Sequence, residues 1–203
     1  MKIAIIGATG NVGRRLVAEA LNRHHAVTAI ARDAKKLPAR TGMSATLGDV
    51  TKPDTLVPLL KGHDAIISAL RFQGSDPQQL IDLVRRSGVK RYLVVGGAAS
   101  LEIAPGQILL DTPNFPSAYK PEASASKAFL DALREVQDLE WTFLSPSAFF
   151  GPGERTGKFR FSANTLLTAA DGKSSISYED YAIAMLDEIE HPKHIRGRFT
   201  VGY

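Results

Sequence analysis

The chain has 203 residues, 44% of them hydrophobic and 23% charged, and contains no cysteine. Those values suit a single globular domain. They exclude a disulfide scaffold, a cysteine-ligated zinc site, a cysteine nucleophile, a collagen or coiled-coil rod and a disordered chain. The net charge of +4 arises from 25 Lys and Arg against 21 Asp and Glu, well mixed along the chain, a pattern that argues against nucleic acid as the partner and for a local need for cations, such as a phosphorylated ligand.

No run approaches the ~20 consecutive apolar residues of a membrane-spanning helix. The opening MKIAIIGATG is too short in its apolar run, and too rich in glycine, for a secretion signal. With cysteine absent as well, the expectation is a cytoplasmic protein with no membrane partner.

Residues 2–6 (KIAII) form a short apolar run closed by Gly7, the pattern of a strand buried on both faces. A helix is expected from Asn11 to about Arg23, with Val12, Leu16, Val17, Ala20 and Leu21 close to a 3.6-residue period. Residues 26–31 (AVTAIA) and 44–47 (SATL) read as the second and third strands. Thr55 to Leu60 reads as a helix with Pro53 near its start, and 65–70 (AIISAL) as a fourth strand. Pro77 to Ser87 is a helix stopped by Gly88, and 91–95 (RYLVV) a fifth strand closed by Gly96 and Gly97. Pro105, Gly106, Pro113, Pro116 and Pro121 then interrupt the pattern, so 98–121 reads as a long irregular loop. Glu122 to Gln137 is a helix and 141–145 (WTFLS) a sixth strand. The segment SISYEDYAIAMLDEIE carries a late helix with Ser177 as N-cap and Glu179 or Asp180 in its first turn. Residues 198–201 (RFTV) read as a last strand.

Strands alternating with helices in this rhythm imply βαβ units and right-handed crossovers. The expected fold is α/β: a doubly wound parallel sheet of the Rossmann type, one domain over 1–203 with a small C-terminal extension. Ligands in such sheets sit beyond the carboxyl ends of the strands. The loops at about 98–121 and 146–175 are the expected substrate-side walls.

Residues 7–13 read Gly7-Ala8-Thr9-Gly10-Asn11-Val12-Gly13, at the first strand–helix junction. Gly7 lets the chain turn off the strand, Gly10 lets the backbone approach a pyrophosphate, and Gly13 lets the helix pack on the sheet. The helix N-terminus offers free amides to phosphates. No Gly-Lys-Ser/Thr follows, so this is not a Walker A loop. At the end of the second strand an acid would bind a ribose 2′-hydroxyl, as in NAD enzymes. Ala31 holds that position and Arg32 follows it. An arginine there can pair with a 2′-phosphate and stack on adenine, so NADP(H) is expected in preference to NAD(H). Arg14, Arg15, Lys35 and Lys36 are further candidate cations. Asp33 is the counter-observation, one residue past the usual place and able to cap the next turn.

With GATGNVG, VTAIARD, GDV at 48–50 and DAIISAL, the chain resembles the atypical short-chain dehydrogenase/reductases. WTFLSPSAFFGPGERTGKFRF and ISYEDYAIAMLDEIEHPKHIRGRFTVGY narrow the resemblance to the NADH-flavin reductase group, relatives of biliverdin reductase B and of the NmrA-like proteins. The resemblance covers essentially the whole chain and is more specific for fold and cofactor than for substrate. It implies pyrophosphate contacts at Gly7, Thr9, Gly10, Asn11 and Val12, and a 2′-phosphate and adenine contact at Arg32. It also implies that Asp49 and Val50 flank the adenine. Ala69, Leu70 and Arg71 would border the nicotinamide-side ribose, and Ser145, Pro146 and Phe149 the nicotinamide.

One departure from the family's alcohol dehydrogenases bears on the chemistry. Those enzymes use a tyrosine four residues before a lysine, the tyrosine as proton donor. The matching lysine is Lys127, but Ala123 stands four residues earlier, and the serine expected at the end of the fifth strand corresponds to about Gly97. Tyr119 and Lys127 remain as catalytic candidates, at a spacing wrong for one helical turn. Carbonyl reduction needs a proton delivered to a developing alkoxide; flavin reduction by hydride transfer does not, because the reduced flavin can take its proton from water. The expected acceptor is therefore FMN, FAD or a similar planar small molecule, with Phe115, Phe149 and Phe150 as candidate walls and Arg71 and Lys120 as candidate contacts for a flavin phosphate.

The alternative is a non-catalytic NADP(H)-binding sensor of the NmrA-like kind. A nucleotide-sugar epimerase is disfavoured because it needs the tyrosine and usually a larger C-terminal region. Ser124-Ala125-Ser126-Lys127 fits S-x-x-K but lacks the companion motifs of the penicillin-binding enzymes, so Ser124 and Ser126 read as helix-start residues. His24, His25, His191 and His194 lack partners at metal spacing, and no metal site is expected. Glu179-Asp180 and Glu188/Glu190 read as cap residues and a solvated helix face. Either a monomer or a homodimer fits the sequence.

Overall fold

The computed structural model describes all 203 residues. Strand β1 (Lys2–Ile6) runs into helix α1 (Asn11–Asn22), followed by β2 (Ala26–Ala31), β3 (Met43–Leu47), α2 (Pro53–Leu60), β4 (Ala65–Ser68), α3 (Pro77–Ser87) and β5 (Arg91–Val95). Next come the short strands β6 (Glu102–Ala104) and β7 (Gln107–Ile108), then α4 (Lys120–Arg134) and β8 (Glu140–Ser145). The chain ends with β9 (Phe149–Gly151), β10 (Arg160–Ser162), β11 (Ser175–Ser177), α5 (Tyr178–Glu190) and β12 (Gly197–Gly202).

Eight strands form the central sheet in the order β10-β12-β8-β5-β4-β1-β2-β3, and every pair is parallel except β10 with β12 at the edge. The sheet is apolar on both faces, as the short runs KIAII and RYLVV require when helices cover both sides. Leu16, Val17 and Ala20 of α1, with Tyr181, Met185 and Ile189 of α5, pack on one face. Leu56 and Leu60 of α2, Leu80 and Val84 of α3, and Phe129 and Leu133 of α4 pack on the other. From β1 the order proceeds to β2 and β3 on one side and to β4 and β5 on the other. The loops after β1 and β4 therefore diverge, and the crevice between them is the switch point where ligands bind in such sheets.

Several expected boundaries move. Helix α4 starts at Lys120, not Glu122, because Pro121 sits in its first turn, where no amide hydrogen is needed. It ends at Arg134 because Glu135 and Val136 bond back only three residues, to Ala132 and Leu133. The loop at 98–121 is not structureless: β6 and β7 form a hairpin turning at Gly106, whose φ is +73°. The 146–175 segment contains β9, which pairs in parallel with β11, and edge strand β10.

The largest departure from expectation lies at the amino end of β5. Glu188, expected on a solvated helix face, is 3% exposed, and Arg91 is 6% exposed. The Arg91 guanidinium donates to Glu188 Oε1 at 2.9 Å and to Thr142 Oγ1 at 2.7 Å. Glu188 also accepts from the His194 amide at 2.9 Å, and its Oε2 lies 2.8 Å from His194 Nδ1. The pair locks α5 onto the sheet far from the carboxyl-end crevice. Glu188→Ala should cost about 3–5 kcal/mol, because it leaves a buried cation without its carboxylate. The measurement is the denaturant midpoint, and the double variant Arg91→Met/Glu188→Leu should lose much less. A loss below about 1 kcal/mol for Glu188→Ala would contradict the assignment.

Candidate functional site

The glycine loop is held by packing. Gly7 has φ +84°, and a Cβ there would lie 2.3 Å from the Ala69 carbonyl oxygen. A Cβ on Gly13 would lie 2.2 Å from the Gly7 carbonyl oxygen. The amides of Gly7 and Ala8 both donate to Ile30 O, at 3.0 and 3.2 Å, which fixes the loop to the end of β2. The N-cap of α1 is Gly10, with no side-chain cap and no acid in the first turn. Its first amides are thus left to whatever enters the crevice, a ready site for an anion.

Two connected cavities open from this loop. The smaller, about 420 Å³, is lined by Gly7, Gly10, Arg32, Asp49, Val50 and their neighbours. Arg32 is exposed at its rim and forms no ion pair. Asp33 turns aside, accepting from the Lys35 amide at 3.2 Å to cap the turn Ala34–Lys36. Asp49 is held below the usual carboxylate range by the amide and hydroxyl of Thr51, 3.0 and 2.9 Å away. Thr9, Gly10, Ala69, Leu70 and Arg71 line both cavities. The other candidate cations lie elsewhere: Arg15 is committed to Glu179 at 2.9 Å, and Arg14 and Lys36 border a separate hollow.

The larger cavity, about 1000 Å³, extends over the carboxyl ends of β5 and β8. Asn11 and Val12 border it at the glycine loop, and Pro146 stands on the opposite side. Phe115 and Phe150 are half-buried in its walls, and Phe150 meets Tyr178 edge-on with ring centroids 4.7 Å apart. Tyr119 stands at the rim, 67% exposed.

Four expected site residues do not reach this space. Phe149 is 69% exposed and lines a separate groove; neighbouring residues on a strand face opposite ways, so only one of Phe149 and Phe150 can face the cleft. The Ser145 hydroxyl is buried inside the fold, on a residue that lines neither cavity. Lys127 lies outside both cavities, and its ammonium donates to Asp131 at 2.7 Å. Lys120 likewise lies outside them.

Several carboxylates hold the walls. Glu122 accepts from the amides of Phe72 at 2.7 Å and Gln73 at 2.8 Å, fixing the loop after β4. Glu179 accepts from the Gly153 amide at 3.0 Å as well as from Arg15. Burial pushes the Glu179 carboxyl up, but Arg15 and the Gly153 amide outweigh it and hold the group below its ordinary range. Asp180 is fully buried and accepts from the Gly157 amide at 2.9 Å and from Thr156 Oγ1. Arg155 donates to Glu19 of α1 at 2.9 Å. The segment 152–157 is a wall fastened to α1 and α5. Ser126 also borders the large cavity: it lies in the second turn of α4 and is 4% exposed, which makes it a wall residue, not the helix-start residue expected. Its signal was slight, a small residue three positions before Phe129 on the buried stripe.

This arrangement has counterparts among known proteins. The model of a family described as NAD(P)H-binding matches residues 7–192. The chain belongs to this NAD(P)H-binding family. An uncharacterised Bacillus subtilis protein, YwnB, is 41% identical over 99% of this chain and 98% of its own. The crystal structure of a Bacteroides thetaiotaomicron protein provisionally named an epimerase superposes with a TM-score of 0.95 at 42% identity, covering 100% of this chain and 96% of the other. A Streptococcus pneumoniae protein provisionally named an NADH-flavin reductase gives 0.85 at 39%, covering 100% and 99%. The NAD(P)H-binding fold of the oxidoreductases is thus shared along the whole chain, while the provisional names differ on chemistry. No helix is long and apolar enough to cross a membrane, and no three His, Cys, Asp or Glu gather to hold a metal.

In an NAD(P)H-binding protein built this way, the contact between α1 and β1 should tolerate no side chain. Gly13→Ala should lower stability by about 1–3 kcal/mol through overpacking, measured by urea unfolding. An unchanged midpoint would show that the loop relaxes freely.

Proposed function

We propose that this protein is an NADP(H)-dependent oxidoreductase that passes hydride to a flavin or a similar planar acceptor. The observation that carries the reading is one continuous crevice with three parts: an unpaired guanidinium at the end of β2, the uncapped amides of α1, and an aromatic-walled cavity beyond them. The residues fit a dinucleotide: a Cβ at Gly7 or Gly13 would fill the space that keeps the loop tight, and α1 presents no side chain to compete for its amides.

Gly7, Thr9, Gly10, Asn11 and Val12 would hold the pyrophosphate, with Gly13 keeping the helix in place. Arg32 would hold the 2′-phosphate, and Asp49 and Val50 would flank the adenine. Ala69, Leu70 and Arg71 would border the second ribose, and Pro146 the nicotinamide. The bound cofactor supplies a hydride. Phe115 and Phe150 would form the walls against which the acceptor ring lies, and the protein's part is to hold that ring in reach. The alanine at 123, the glycine at 97 and the outward Lys127 leave no tyrosine–lysine proton donor, which favours an acceptor that takes its proton from water.

Purified protein should consume NADPH in a saturable, protein-dependent way when FMN is added, above the rate with FMN alone. Tight NADPH binding with no consumption would favour the sensor reading, which the missing proton donor fits equally well. Arg32→Asp should weaken NADPH about 10- to 100-fold, as expected for loss of a charge-assisted pair, and change NADH by less than about threefold. Equal losses for both would remove the 2′-phosphate assignment.

A further inference from the structure

Helix α4 turns Ala123, Ser126, Phe129, Leu130 and Leu133 inward. Ser126 is the one residue of that stripe with a hydroxyl. A helical serine commonly spends its hydroxyl on the carbonyl of the preceding turn. Ser126 does not: its Oγ bonds to no group of the protein, although the residue is 4% exposed. The one space open to it is the large cavity.

Gly97, at the carboxyl end of β5, shows where that hydroxyl stands. A Cβ on Gly97 would lie 2.6 Å from Ser126 Oγ and 3.2 Å from Ser126 Cβ. The serine thus occupies the room that a side chain at 97 would take. Of the backbone amides in this turn, Gly96 donates to Leu144 O at 2.8 Å and Leu101 donates to Ala98 O at 2.9 Å. Those of Gly97 and Ala98 donate to no backbone or side-chain acceptor, and both residues line the same cavity. The nearest carboxylate on α4, Glu122, has both oxygens engaged by the amides of Phe72 and Gln73. One stretch of wall therefore offers a hydroxyl and two amides as donors, while the aromatic rings of Phe115, Phe150 and Tyr178 line other parts of the cavity. Donors that line a cleft without a protein partner are open to a ligand, and donors fixed in a cleft bind an oxygen more strongly as it gains negative charge.

We propose that Ser126, with the amides of Gly97 and Ala98, forms the subsite for a carbonyl oxygen of a planar conjugated acceptor. This deepens the reductase reading and rests on it for the presence of NADP(H) alongside. The substrate class narrows to flat rings bearing a carbonyl or imide oxygen.

The test is equilibrium dialysis of two tricyclic probes against protein preloaded with NADP⁺: lumichrome, which carries imide carbonyls, and phenazine, which has none. Ser126→Ala keeps a strong helix former at the position. It should weaken lumichrome about three- to tenfold, the worth of one hydrogen bond, and leave phenazine and NADP⁺ unchanged. Moving the hydroxyl in Ser126→Gly/Gly97→Ser should restore lumichrome binding relative to Ser126→Gly alone. Equal loss for both probes, no loss for either, or no lumichrome binding by the unaltered protein would overturn the subsite. A loss confined to NADP⁺ would assign the hydroxyl to the cofactor's carboxamide and overturn it too. Ser126-dependent lumichrome binding without FMN-dependent NADPH oxidation would remove the reductase reading and leave the subsite standing. Unchanged lumichrome binding and FMN kinetics in Ser126→Ala would do the reverse.

Discussion

The site depends on how closely α1 lies on the end of β1. Gly13 passes so near the Gly7 carbonyl that a methyl group would overlap it. The Gly7 turn is in turn wedged against Ala69 at the end of β4. This three-way contact brings an uncapped helix end to the floor of the switch-point crevice. It also places the residues after β4 against both cavities. A longer side chain at 7 or 13 would lift the helix, and the amides would no longer face the space that Arg32 borders. In the proposed reading, cofactor affinity and local packing are the same feature viewed from two sides.

The walls are positioned by charge. Glu122 fastens the loop after β4, and Glu179 and Asp180 fasten 152–157. Glu19, on the outer turn of α1, reaches both Arg155 and Arg23. Burial pushes Glu19 up, but its two arginines outweigh that and keep it ionised at neutral pH. Each of these carboxylates accepts from backbone amides or arginines, so each is occupied structurally. The crevice is left with donors and a cation but few free acids, a balance suited to phosphate and carbonyl ligands.

Much of this was legible in the residues. Short apolar runs closed by glycine mark β1, β2, β4 and β5, because a strand buried on both faces needs no polar alternation. GATGNVG marks the crevice because Gly7 and Gly13 each answer a steric demand. Side-chain direction in short elements was less legible. Phe149 and Phe150 are adjacent on a three-residue strand, and no periodicity shows which one faces the cleft. Glu188 and Asp180 look like surface acids on a helix because their partners, Arg91 and the amide of Gly157, come from distant parts of the chain. Ser126 was hidden for a similar reason: its position matters only through Gly97, on a strand that it meets after folding.

The most direct measurement is hydride transfer followed with NADPH deuterated at either face of C4, using FMN as acceptor and analysing the NADP⁺ by mass spectrometry. A crevice that holds cofactor and acceptor ring together should remove the label from one epimer and retain it in the other. Equal removal from both, or removal at the rate seen without protein, would mean that the two do not meet in this crevice.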